Sequence, residues 1–233
     1  MAEIRYFRLE PRALSYGECS RLARDSAALV LLLLSKWRLK RFTFPLTLTA
    51  CDDFFEIDPA DFHPHAAARL DESVSTLESL GFLATNHGSV PQVGKNRLHH
   101  IVLLLSADRK TGAAVTDFAT GFEVNTPTTL TTRFGGGTFG VTTNDRPGLD
   151  QPPNFLWDYR TGCPADRLYD HHRENLNRWE LQGFSVDPFG LHEPSLVAAE
   201  LGRMQTQHYL DRGVMVELTP DELDERLDRA EVE

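Results

Sequence analysis

The stretch from Arg97 to Asn144 constrains this chain most, because it reads as consecutive β-strands joined by short turns. Arg97–Ser106, Ala113–Thr120, Phe122–Phe134 and Thr138–Asn144 are rich in Val, Ile, Leu, Phe and Thr. Between them lie Asp108-Arg109-Lys110-Thr111-Gly112, Thr120-Gly121 and Gly135-Gly136-Gly137, the residue types that hairpin turns require. Connections this short pair neighbouring strands antiparallel, since a parallel pair needs a crossover of roughly a dozen residues or more. A Rossmann-type or P-loop core is thereby excluded from this stretch, and with it most of the legible cofactor motifs.

Helical patterns flank the meander on both sides. Ile4–Leu9 reads as a short strand, and Ser15 caps a helix from about Tyr16 to Trp37, with Glu18 at the capping-box position. Phe42–Thr49 reads as a strand that Pro45 places at a sheet edge. After an acidic, aromatic loop at Cys51–Phe62, residues His65–Leu80 form an amphipathic helix. Its stripe is Leu70, Val74, Leu77 and Leu80, and Gly81 stops it. Phe82 starts a further strand, Asn86–Asn96 reads as a polar loop, and Asp145–Tyr159 reads as an extended crossing loop. Pro164 opens a helix to Leu181 whose stripe is Leu168, His172, Leu176 and Trp179. Pro194 opens another to Leu210, and Thr219-Pro220-Asp221-Glu222 starts a last, highly charged one. The expected fold is α+β: an antiparallel β-meander of about five strands covered by helices before and after it. It divides into a basic helical segment at 1–50, a sheet core at 51–190 and C-terminal helices at 191–233. Alternation places Leu130, Phe134, Phe139 and Val141 inward, with Thr129, Thr131, Thr138 and Thr142 on a half-wet outer face.

The formal charge of −10 hides an asymmetry. Residues 1–50 carry a balance of +5 and the remainder −15. An acidic body makes a poor general binder of nucleic acid, whose affinity rests on cationic contacts to phosphate. Cys19, Cys51 and Cys163 are odd in number and outside any CxxC pattern, which favours a reducing compartment over a disulfide framework. Nothing at Met1-Ala2-Glu3-Ile4 resembles a cleavable signal, so the expected location is cytoplasmic.

Ala27–Leu34 is a run of eight apolar residues, short of the ~20 that span a bilayer. Lys36-Trp37-Arg38-Leu39-Lys40-Arg41-Phe42 follows it. The plainer reading is a buried helix with a cationic end that suits the helix dipole. The functional reading makes Leu29, Leu32, Lys36, Trp37, Arg38, Lys40, Arg41 and Phe42 a contact surface for a protein partner or a second copy. An interfacial membrane anchor over residues 29–42 is less favoured.

Candidate chemistry is sparse. Of nine histidines, no pair sits four apart on a helix and no HExxH exists. His63 and His65, beside Asp52, Asp53, Asp58 and Asp61, are the weak metal candidates, with an acidic capping loop the plainer alternative. His172 lies on an apolar helical stripe, where a core histidine bonded to a neighbour outweighs a catalytic one. Gly135-Gly136-Gly137 joins strand to strand and lacks the helix that a phosphate cradle opens onto. No GxSxG elbow occurs, and Asp117 and Glu123 flank a turn, where charge is routine. No cofactor and no small-molecule ligand is indicated. The threonine-rich strands fit solvent-facing positions, or else a polar surface lining a ligand groove.

Thr131-Thr132-Arg133-Phe134-Gly135-Gly136-Gly137-Thr138-Phe139-Gly140-Val141-Thr142-Thr143-Asn144, then Pro147–Pro153, then Leu168-Tyr169-Asp170-His171-His172-Arg173-Glu174-Asn175-Leu176 resembles a pattern recurring in uncharacterised bacterial α+β proteins. The resemblance covers roughly residues 65–182 and implies no activity or site. The leading expectation is a non-catalytic cytosolic binding or assembly protein acting through protein–protein contacts. The alternatives are peripheral membrane association, or an enzyme with a cleft between the sheet and helix 163–181. There His172 would be a general base, and Arg133 or Arg173 would orient an anionic substrate.

Overall fold

The expected meander forms. In the computed structural model, β4 (Phe82–Pro91), β5 (Leu98–Ser106), β6 (Gly112–Thr120), β8 (Thr128–Phe134) and β9 (Thr138–Thr143) pair antiparallel in that order. The structure describes residues 4–23, 25–39, 47–51, 55–91, 98–120, 123–190 and 193–225. Each turn follows its chemistry. Gly136 and Gly137 take φ of 79° and 74° in the β8–β9 hairpin, a conformation that costs glycine nothing.

Two additions make the sheet larger than expected. β10 (Phe155–Tyr159) lies parallel to β9 inside the stretch read as a crossing loop, giving a sixth main strand and a mixed sheet. Its alternating Phe155, Trp157 and Tyr159 follow Pro152-Pro153, which reads as loop punctuation and hides the strand. A two-residue strand, β3 (Phe55–Glu56), closes the opposite edge. β4 runs through most of the expected polar loop to Pro91, because cross-strand bonds to β5 override the low β-propensity of Asn86 and Gly88. The expected long strand at 122–134 is divided instead: β7 (Glu123–Asn125) and β8 both pair with β6, separated at Thr126-Pro127. Gly121 of the expected Thr120-Gly121 turn and Phe122 lie outside the described residues.

The helices contact both faces. On one, α3 (Pro64–Ser79) and α4 (Ala165–Leu181) pack Leu70, Leu77 and Leu168 against Phe82, Val102, Leu104, Val115 and Leu130. Burying Leu70 and Leu77 contributes roughly 2 kcal/mol each. On the other, α5 (Pro194–Asp211) brings Val197 and Leu201 to Leu105, Phe139, Val141 and Phe155. The expected alternation is therefore corrected. Leu130 is opposite Thr142 and Thr131 is opposite Val141, so Leu130 and Phe134 face α4 while Phe139 and Val141 face α5. Of the threonines read as half-wet, Thr131 and Thr142 are buried, on opposite faces of the sheet, and Thr129 and Thr138 are half-buried; Thr128, Thr132 and Thr143 are buried as well. The Thr129, Thr132, Thr142 and Thr143 hydroxyls are satisfied by one another, by His172 or by backbone, as Thr129 is by Thr143 at 3.0 Å, whereas the buried Thr128 hydroxyl has no hydrogen-bond partner among the described residues.

The first and last described strands pair. β1 (Ile4–Leu9) sits between β2 (Thr47–Cys51) and β11 (Met215–Glu217) in a second, three-stranded antiparallel sheet. β11 is three residues long, too short for any periodic signal. The single helix expected at 16–37 is two, α1 (Tyr16–Leu22) and α2 (Ser26–Lys36). Ala23 is extended at ψ 125°, and Asp25 starts α2 by accepting a hydrogen bond from the Ala28 amide at 2.8 Å. Leu14, Cys19, Leu32 and Val214 form the small core of this unit. Buried Glu18 binds it to the crossover after β9, accepting from the Ser15 and Asp150 amides at 2.7 and 2.8 Å and from Arg212 at 2.8 Å. Burial raises the Glu18 pKa, but these donors outweigh it and hold the carboxyl at about 2.

Candidate functional site

Small side chains on facing elements leave a space between α5 and the sheet. Gly112 and Ala114 of β6 lie opposite Thr131 and Thr129 of β8, and Ala198 and Gly202 of α5 look onto the same region. The result is a largely apolar cavity of about 250 Å³. Leu103, Val141, Phe155, Trp157, Phe189 and Leu201 complete most of its wall. A β-carbon added at Gly202 would meet nothing within 4 Å, so the space reaches the helix backbone itself.

The wall is well supported. Phe189 is fixed by its amide to the Arg109 carbonyl at 2.8 Å and by the Arg133 guanidinium 5.6 Å from its ring centre. Arg133 in turn pairs with Asp187 at 2.9 Å and Glu193 at 3.3 Å, clamping the segment that leads into α5. Trp157 stacks on Tyr159, ring centres 5.3 Å apart and 12° from parallel. At the Gln205 end, Gln151 accepts hydrogen bonds from Gln205 at 2.7 Å and Tyr209 at 3.1 Å. Trp157, one of the lining residues, carries a buried indole N–H that has no hydrogen-bond partner among the described residues. An unmet buried donor of this kind costs about 1–3 kcal/mol unless a ligand or water accepts from it.

His172 lies on the other side of the sheet and is fully buried. Thr132 donates its hydroxyl to the Lys110 carbonyl at 2.9 Å, so its oxygen accepts from His172 Nε2 at 3.0 Å. Nδ1 then accepts from the Thr142 hydroxyl at 2.9 Å, while Asn175 donates to that oxygen at 3.1 Å and to Asp158 at 2.7 Å. The network fixes a neutral imidazole, because a second ring proton would leave the Thr142 hydroxyl without its acceptor. Burial pushes the His172 pKa down to about 3, against a smaller opposing pull from Asp158. Without solvent contact and with both nitrogens bonded, this is a core histidine.

The other sequence candidates scatter. Arg133 is on the α5 side of the sheet, and Arg173 is exposed on the outer surface of α4 over the Tyr169 ring. The structure therefore does not bring His172, Arg133 and Arg173 to one cleft. His63 and His65 are exposed at the start of α3, where His63 Nδ1 accepts from the His65 amide at 3.3 Å. Asp52 and Asp53 lie outside the described residues, and among the described residues no three potential metal ligands gather. Asp117, read as a routine turn residue, is buried and takes both hydrogen bonds of Arg69, at 2.8 and 2.7 Å. Cross-strand from it, His100 stacks on Phe62 at 4.5 Å, and burial lowers its pKa.

Of the residues expected to form an N-terminal contact surface, Leu32 is 1% exposed and belongs to the core, which Leu29 also joins. Lys36 reaches inward to the Arg12 and Leu14 carbonyls. Trp37 and Arg38 are exposed, while Lys40, Arg41 and Phe42 lie outside the described residues. No described helix is long and apolar enough to cross a membrane.

Sequence reasoning missed Trp157, Ala198 and Gly202. The alternation of β10 was a usable signal for the first, whereas nothing local marks the others. Comparisons with protein-family models, curated proteins and solved structures found no match.

Proposed function

We propose that this chain is a non-catalytic binding protein whose ligand is a small, predominantly apolar molecule held between α5 and the sheet. The carrying observation is the cavity of about 250 Å³, lined in part by Trp157, whose buried indole N–H has no partner among the described residues. An apolar cavity of roughly 150 Å³ takes up benzene, so this one has room for a single ring bearing a short side chain. The indole selects a ligand with a hydrogen-bond acceptor, such as a carbonyl or ether oxygen. Binding rather than catalysis is supported by the lining, whose polar side chains are Thr129, Thr131, Gln205 and Trp157. None of these serves as an acid, base or charged anchor at neutral pH.

Calorimetric titration with acetophenone and ethylbenzene, nearly equal in size, tests the proposal. Acetophenone should bind about tenfold more tightly, one net hydrogen bond's worth, and Trp157→Phe should erase that preference. Gly202→Leu should fill the space and abolish both affinities. Binding that survives Gly202→Leu, or that shows no acceptor preference, refutes the assignment.

A further inference from the structure

α2 is apolar on all sides, yet the described residues cover only one of them. Its sequence, SAALVLLLLSK, holds no charge before Lys36. Leu32 and Ser35 face the interior, while Val30 and Trp37 are 53% and 54% exposed. Ala27 is exposed as well, with Leu31 and Leu34 half-buried between them. Positions 27, 30, 31, 34 and 37 recur at three- and four-residue spacing, so they form one continuous outward stripe. Leu39, 70% exposed, and Tyr16, which accepts a hydrogen bond from Trp37 Nε1 at 3.2 Å, extend it. A helix that is apolar all round is ordinarily buried on every side.

We propose that a second copy of this chain covers this stripe, α2 packing antiparallel on α2 across a two-fold axis. Self-pairing is what the residue order favours. An axis beside residues 31–33 sets small Ala27 against the partner helix's large Trp37, and Val30 against its Leu34, so that sizes alternate across the seam. The same register brings the exposed Asp25 at the start of one helix to the exposed Arg38 at the end of the other, twice by symmetry. The two helix dipoles then run opposed, which adds to the attraction. An acidic peptide would meet Arg38 but would find Asp25 repulsive. An anionic lipid surface would gain nothing from Asp25. This inference rests on α2 and is independent of the cavity under α5.

Sedimentation velocity on the intact chain, from about 1 to 100 μM and paired with thermal unfolding, decides it. The dimer, twice 26.3 kDa, should appear across this range. Val30→Glu, which sets like charges in an apolar seam, should weaken it by roughly 100-fold while leaving the monomer folded. Arg38→Glu, outside the seam, should weaken it less and more visibly at low salt. Should Val30→Glu fail to fold, Arg38→Glu alone carries the test. A wild-type monomer at 100 μM overturns the proposal, as does a dimer that neither variant affects. Co-sedimentation of monomer with phosphatidylserine vesicles, with no dimer in solution, overturns it in favour of a membrane surface.

Discussion

Acidification from pH 7 to pH 5 is expected to cost this fold about 2 kcal/mol through His172 alone. The ring is wholly buried and bonded at both nitrogens in its neutral form, with a pKa of about 3 against roughly 6.5 in the unfolded chain. The folded value is depressed, so this stabilising difference is complete above the unfolded pKa and is lost as the pH falls towards the folded one. Over pH 7 to 5 the unfolded chain takes up most of a proton at this site and the native state almost none. Integrating that difference gives about 2 kcal/mol, with a limiting slope near 1.4 kcal/mol per pH unit. His100, whose pKa burial also lowers, moves wild-type stability the same way, so the site needs its own control. Glu18, held at about 2, loses its contribution at lower pH, mostly outside this window. Urea denaturation of wild type and His172→Gln at pH 7, 6 and 5, at constant ionic strength, isolates the term. The variant starts less stable because the threonine bonds are lost, and the gap should narrow by about 2 kcal/mol on reaching pH 5. A gap independent of pH would refute the neutral, buried assignment of His172.

Gly140→Ala should destabilise by about 2–3 kcal/mol in the same assay, because the new methyl would lie 2.4 Å from Trp179 Cζ3 and 2.9 Å from Phe134 Cε2. Gly202→Ala should do the reverse, adding roughly 0.5–1 kcal/mol, since its methyl enters open space in a helix interior. Glu18→Gln should cost about 2 kcal/mol: the amide cannot replace a carboxylate that accepts from two backbone amides and Arg212, and the partial exposure of Arg212 softens the loss. Leaving a positive charge at Arg212, it should also flatten the acid limb below pH 4.5.

What was legible followed from local chemistry. The meander was marked by turns of Asp, Gly and Thr, helix α3 by its leucine stripe, and the start of α1 by Ser15 and Glu18, whose reciprocal bonds are present. Errors arose where a local signal had two meanings. Asp25, just before the apolar run, falls inside the single helix expected from Tyr16 to Trp37, although its side chain starts a new helix. Phe139 and Val141 were assigned to the face of Leu130 because each strand alternates correctly on its own, and only the β8–β9 register decides which faces coincide. Pro152-Pro153 masked the aromatic alternation of β10. The candidate site was the least legible part, since a cavity is a relation among Ala114, Ala198 and Gly202, residues of no individual distinction that meet only after folding. His172, by contrast, read as a core histidine from its place on an apolar stripe, and its two threonine partners account for why a polar ring is stable there.

The occupancy of the α5 cavity is tested most directly at the indole nitrogens. Of the three tryptophans, Trp157 lines the cavity, Trp179 packs against Gly140 and Trp37 lies on the α2 surface. In protein labelled with ¹⁵N at tryptophan, acetophenone should shift the Trp157 Nε1–H resonance downfield, leave the other two in place, and do neither in Gly202→Leu. Three unmoved resonances at saturating acetophenone, or an equal shift in Gly202→Leu, would contradict the proposed binding site.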